Sequence, residues 1–214
     1  MRPIEEMIDI VVRKVQERLA QTFDIEVSDS YVHLTQESLD LLFGEGHHLS
    51  PYKYLSERGT FLSYNHVSLV SPDGVLNKIP VIGPARTYNE VVISQSQALE
   101  LNLEVPIRLN GEVEESPGIL VVGSAGEIYL EQGVISAQRH LSVKSKDAEK
   151  LKVHDGQRVS VCVEGARSLV FKDVLCKVSE NYNTIFHIDV DEGHACAYRP
   201  GVQAFIIERG KLND

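Results

Sequence analysis

Ser30-Tyr31-Val32-His33 and Arg139-His140-Leu141-Ser142 are two versions of one phrase. On a common register Tyr31 falls on His140 and His33 on Ser142, a step of 109 residues, so the parent unit is a His-x-His pair of which each copy keeps a different half. Alternate residues of an extended segment point to the same face, and His-x-His on a strand aims two imidazoles at one point, a metal-binding geometry. A second pair of segments repeats with a step of 95: Val92-Ile93-Ser94-Gln95-Ser96-Gln97-Ala98 falls on His187-Ile188-Asp189-Val190-Asp191-Glu192-Gly193. A 214-residue chain written this way predicts duplication, two related halves about a pseudo-twofold with one site at their seam.

Outward from these motifs the pattern is of short strands. Alternating or β-branched runs occupy residues 23–27, 66–70, 75–82, 91–94, 105–109, 118–122, 158–163, 168–178 and 184–188. Turn signals stand at Pro72-Asp73-Gly74, Asn110-Gly111, Asp155-Gly156 and Glu164-Gly165. Short helices are predicted after each half-motif, over residues 36–42 and, behind a Ser cap, 145–151. Many strands at close spacing with few crossover helices predict largely antiparallel barrels rather than a parallel sheet. The expected class is mainly β with short helices: an N-terminal amphipathic helix in residues 1–22, then two β-barrel-like halves, 23–125 and 126–214. In that helix Ile4, Met7, Ile8, Val11, Val12, Val15 and Leu19 recur at helical spacing, which suits either docking on the body of the protein or recruitment to a larger assembly.

Composition narrows the function classes. Hydrophobic residues at 43% and charged residues at 24% are ordinary for a globular protein with a proper core. No apolar run reaches the ~20 residues of a membrane span and no signal peptide pattern opens the chain, so a cytoplasmic protein is expected. Cys162, Cys176 and Cys196 lack metal-ligand spacing and are odd in number, which fits a reducing compartment, with the first two in apolar strand patterns. A net charge of −10 disfavours nucleic acid, whose phosphates require clustered Lys and Arg. There is no Walker or dinucleotide-type glycine loop and no Gly-x-Ser-x-Gly elbow.

Four strings in order carry a family resemblance: Val32-His33-Leu34-Thr35 with Leu42-Phe43-Gly44; Val81-Ile82-Gly83-Pro84-Ala85-Arg86 with Ile93-Ser94; Arg139-His140-Leu141; and His187-Ile188-Asp189-Val190-Asp191-Glu192. From about Ile25 to Glu208 the chain resembles the PduL-type phosphotransacylases, the phosphate propanoyltransferases associated with bacterial microcompartments. The resemblance implies two β-barrel-like halves, coenzyme A as substrate, two metal ions, typically zinc, where the halves meet, and transfer of an acyl group such as propanoyl or acetyl between coenzyme A and inorganic phosphate. A cation polarises the thioester carbonyl, and an arginine fork holds phosphate oxygens.

Carried over by position, Arg86 stands in the Gly-Pro-x-Arg motif as the catalytic phosphate ligand, and His33, His140 and His187 stand at metal-ligand positions. Tyr31 and Ser142 occupy histidine positions, and Val92 occupies that of a glutamate. His194 replaces an asparagine of the coenzyme A region and Ser30 an arginine. With half of six ligands gone, one zinc ion on three histidines is expected rather than two. Each residue has a plainer alternative: a hydrogen-bonded core histidine, or for Arg86 a structural ion pair. Two functions follow. One is a phosphate acyltransferase with a remodelled site. The other is a catalytically weakened homologue serving as partner or scaffold of a microcompartment or of an active paralogue, joined through the N-terminal helix.

Overall fold

The computed structural model describes residues 7–8 and 21–207. Met7 and Ile8 are helical and exposed, and the rest of the helix expected up to Ala20 lies outside the described residues. The described chain is mainly β, with four short helices. Strand β1 (Thr22–Ser28) comes first. It is followed by β2 (Tyr31–His33), β3 (Pro51–Tyr54), β4 (Phe61–Val70), β5 (Val75–Gly83), β6 (Glu90–Val92), β7 (Ile107–Arg108), β8 (Ile119–Val122), β9 (Glu127–Leu130) and β10 (Val134–Ala137). These nine form one sheet in the order β7-β10-β6-β2-β5-β4-β8-β9, with β3 added on β4. Then β11 (His140–Lys144), β12 (Arg158–Val163), β13 (Leu169–Ser179), β14 (Ile185–Asp189) and β15 (Gln203–Ile207) close with β1 into a six-stranded barrel, in the order β1-β14-β11-β13-β12-β15. Helices α1 (Gln36–Phe43), α2 (Gln95–Glu100), α3 (Ser145–Leu151) and α4 (Val190–Ala195) complete the elements.

The duplication read from two motifs holds in the backbone. Strand β2 lies antiparallel to β6 with Tyr31 opposite Val92, and β11 lies antiparallel to β14 with His140 opposite His187, the same pairs displaced by 109 and 95 residues. Strand β2 is also parallel to β5 through Val32 and Val81, as β11 is to β13 through Leu141 and Cys176. The irregularities are copied too. Lys78 (φ 59°) and Asp173 (φ 56°) are left-handed residues one step of 95 apart, as are Asn102 (φ 53°) and Ala197 (φ 51°). A left-handed residue inside a strand costs of order 1 kcal/mol and makes a bulge that resets the alternation of faces. Leu76, Ile79 and Val81 are therefore all buried despite uneven spacing, and so are their counterparts Phe171, Val174 and Cys176. Helix α2 begins with a reciprocal capping box, Ser94 with Gln97, and α4 begins with its counterpart, in which Glu192 N donates to Asp189 Oδ1 and Asp189 N donates to Glu192 Oε2.

By its contacts the chain divides into two compact units: Val27–Gln138 with Ile188–Glu192, and the chain up to Glu26 with Arg139–His187 and the chain from Gly193 on. The sequence expectation places its cut at 125/126. The cuts at 26/27 and 138/139 have a topological reason, since the strand preceding each copy is enrolled with the other copy. Thus β1, before the first copy, neighbours β14, and β10, before the second, runs parallel to β6 with Val134 beside Val91. Parallel ladders also join β2 to β5, β7 to β10 and β11 to β13, and antiparallel ladders such as β4 with β5, β12 with β13 and β12 with β15 keep the fold largely antiparallel, as expected.

The first unit buries Val32, Leu34, Leu39, Leu42, Leu69, Val81 and Ile119 in one cluster. The barrel is filled by Leu141, Val143, Val161, Val174, Phe171 and Phe186, the last two edge to face at 5.5 Å. All three cysteines are buried and unoxidised, and burial pushes the Cys176 thiol up to about 11. The Ser cap expected for α3 is absent. Lys144 is the N-cap residue and makes no side-chain cap; instead its N–H donates to Thr184 Oγ1 at 3.1 Å, and that hydroxyl donates to Asp147 in the first turn at 2.7 Å. A distant hydroxyl thus bridges the N–H of the N-cap residue to a first-turn carboxylate.

Candidate active site

In the unit built on Val27–Gln138, β2 and β6 face a common side with four residues: Tyr31 opposite Val92 and His33 opposite Glu90. Directly opposed residues of an antiparallel pair point to the same face. His33 and Tyr31 pack edge to face at 5.4 Å, and the Tyr31 hydroxyl accepts from Asn110 Nδ2 at 2.8 Å. Burial pushes the Tyr31 phenol far up, so its oxygen is a neutral hydroxyl. Asn110-Gly111, read from the sequence as a turn, closes over this face: Gly111 (φ 92°) donates its N–H to Glu90 Oε1 at 2.7 Å. A left-handed φ makes glycine the natural choice there.

Arg86 reaches the cluster from the loop after β5. Gly83, at the end of β5, lets the chain pass the Phe61 ring, which a Cβ would meet at 2.4 Å. Beyond it Arg86 N donates to the Leu34 carbonyl at 2.8 Å, anchoring the loop beside β2. One guanidinium nitrogen lies 3.8 Å from Glu57, whose side chain is 60% exposed, a contact worth little. Arg86 Nε is buried without a partner, as are His33 Nδ1 and Glu90 Oε2. Burial first, then the Arg86 charge, hold the His33 imidazole down to about 4, so it is neutral at neutral pH. Burial raises the Glu90 carboxyl against the Gly111 N–H and the Arg86 charge, which favour its ionised form.

The barrel unit carries the other two histidines. His140 and His187 are opposed on β11 and β14, and their rings stack at 4.6 Å with 16° between planes. Burial and then the Lys177 charge hold His187 down to about 4. Its Nδ1 lies 3.6 Å from Glu26, but a neutral imidazole at that distance makes neither an ion pair nor a good hydrogen bond. Ser142 is buried opposite Ile185.

A family model described as phosphate propanoyltransferase matches residues 24–199. The chain belongs to that family. Relatives named phosphate propanoyltransferase include one from Enterococcus faecalis, 34% identical over 205 residues that cover 96% of this chain and 97% of the relative. One from Thermotoga maritima is 40% identical over 185 residues, 86% and 88% of the two chains. One from Salmonella typhimurium is 36% identical over 193 residues, 89% and 91%.

Membership in the phosphate propanoyltransferase family raises the question of metal. A zinc ion bound by imidazole lies in the ring plane about 2.0–2.1 Å from nitrogen, and two stacked, nearly parallel rings share no such point. Among the described residues no group of three or more His, Cys, Asp or Glu is arranged to hold a metal ion. The donors as they stand do not fit zinc.

Of the residues marked in the sequence, His140 and His187 come together in the barrel unit, and His33, Arg86, Tyr31 and Val92 in the sheet unit. His194 is exposed on α4. Ser30 is buried and its hydroxyl donates to Gln97. Sequence reasoning passed over Glu90. It stands two residues before Val92 on the same face of the same strand, so the period of a strand applied to Glu90-Val91-Val92 would have found it. The acids after His187 serve the backbone: Asp189 and Glu192 cap α4, and Asp191 accepts from Ser96 N at 2.8 Å and Ser96 Oγ at 2.6 Å.

Proposed function

We propose that this protein transfers an acyl group, propanoyl or acetyl, between coenzyme A and inorganic phosphate. The observation that carries the reading is the half-buried Arg86 guanidinium, its Nε unpartnered, beside neutral His33 at the motif positions of the family. A phosphate oxygen forms a bond to the thioester carbonyl carbon, the carbon–sulfur bond breaks, and the proton carried by phosphate ends on the coenzyme A thiol. Arg86 binds and orients phosphate for that attack, lowering the entropy cost and the charge at the reacting centre. His33 offers a neutral nitrogen on the same face as a proton acceptor. His194, exposed on α4, is assigned to coenzyme A. The non-catalytic reading, a partner or scaffold subunit, gains nothing from a buried cluster aimed at an anion. Recruitment into a microcompartment rests on the family resemblance and on the helical spacing of residues 4–19.

Purified protein incubated with propanoyl- or acetyl-coenzyme A is expected to release thiol only when phosphate is added. No release with either donor overturns the assignment. For metal, protein purified without chelator is expected to hold fewer than two zinc ions per chain, because Tyr31, Val92 and Ser142 stand where ligands would and the remaining histidine pair is stacked. Elemental analysis reads this directly, and two zincs per chain would contradict it.

A further inference from the structure

Glu90 is fully buried, and only one of its carboxylate oxygens has a partner. A buried carboxylate oxygen without a donor costs more than a hydrogen bond returns, so its retention calls for a ligand that supplies the donor. Opposite it across β2 and β6 stands His33, with Nδ1 also unpartnered, and the Arg86 charge acts on both. The three atoms are not alike in what they need. Arg86 Nε is a donor and takes an anionic oxygen; Glu90 Oε2, when ionised, is an acceptor and repels one. Only an oxyanion that keeps a proton of its own satisfies both.

We infer that Glu90 is the residue that selects a protonated oxyanion, hydrogen phosphate or arsenate, against a fully ionised one such as sulfate. The oxyanion's O–H donates to Glu90 Oε2 while another of its oxygens accepts from Arg86. The carboxylate that Val92 removed from this strand face is thus present two residues earlier in a different capacity, reading the proton on the substrate. This rests on Arg86 being the phosphate ligand and adds the basis of its specificity.

The test is calorimetric binding of phosphate, arsenate and sulfate to the full chain in mildly alkaline buffer without acyl-coenzyme A. The wild-type protein is expected to bind phosphate and arsenate about ten- to a hundredfold more tightly than sulfate, the range of one charge-assisted hydrogen bond. Glu90→Gln places a donating amide where the carboxylate accepted, and is expected to collapse that preference, with sulfate gained rather than phosphate merely lost. Equal binding of phosphate and sulfate by wild type, or an unchanged ratio in E90Q, overturns the inference, and the wild-type ratio decides it even if E90Q does not fold. Selective binding without thiol release would sink the proposed activity alone, and thiol release without selectivity would sink this inference alone.

Discussion

Arg86→Ala is expected to lower phosphate-dependent thiol release by about a hundred- to a thousandfold while leaving the fold intact. The range is that of removing one preorganised donor from a site where negative charge develops. Little stability is at stake, because the ion pair to exposed Glu57 at 3.8 Å contributes under ~1 kcal/mol and the loop is held by a backbone bond, Arg86 N to the Leu34 carbonyl, that alanine keeps. Arg86→Lys should recover little of the loss. An ammonium is a point charge on a flexible stem and cannot place a donor where Nε sits while holding a second on the same anion. The plainer alternative, a structural ion pair with Glu57, predicts the opposite: a small stability change, near-normal rates, and a Glu57→Ala variant that behaves like R86A. Steady-state kinetics of the three variants with thermal denaturation of each separate the two. Activity of R86A within a few-fold of wild type removes Arg86 from phosphate binding.

The sequence disclosed the duplication and hid its consequences for pairing. Two short motifs related by 109 and 95 residues put Tyr31 against His140 and Val92 against His187, and the strand registers repeat those equivalences. Strand periodicity found β12 at its own ends, Arg158 to Val163, and came within a residue at each end of β13. It missed β10, and β11 showed only through its His-x-His motif, because Val134–Ala137 and His140–Lys144 are buried on nearly every side chain, which erases alternation. It missed α2 and α4 because six-residue helices offer under two turns of periodicity, and their signal is a capping box in which Ser94 and Asp189 play one part. The exchange of β1 and β10 between copies leaves no local trace, since pairing partners far apart in the chain are chosen by the fold. For the proposed site, family positions pointed to Arg86 and the three histidines. Glu90 escaped because the family pattern directed attention to the lost carboxylate at Val92 rather than to the strand face the two residues share.

Acidification should destabilise this protein through its two buried imidazoles, and the sign follows from which state binds the proton. His33 and His187 are held down to about 4, against about 6.5 for an unfolded histidine, by burial first and by Arg86 and Lys177 second. Between those values the unfolded chain takes up protons that the folded one refuses, so stability falls as pH drops below about 6.5 and the loss saturates near 4. Each imidazole accounts for about 3 kcal/mol across that window, since every tenfold difference in proton affinity between the two states is worth about 1.36 kcal/mol. Glu90 acts in the opposite sense. Its raised carboxyl binds a proton more readily in the folded chain, so it favours the fold at low pH and offsets part of the loss. Urea denaturation at near-neutral pH and again near pH 4.5 should show the drop, and a His33→Asn, His187→Asn double variant should show much less of it. If the double variant loses as much stability as wild type over the same window, ordinary carboxylates govern the acid limit and the imidazoles do not.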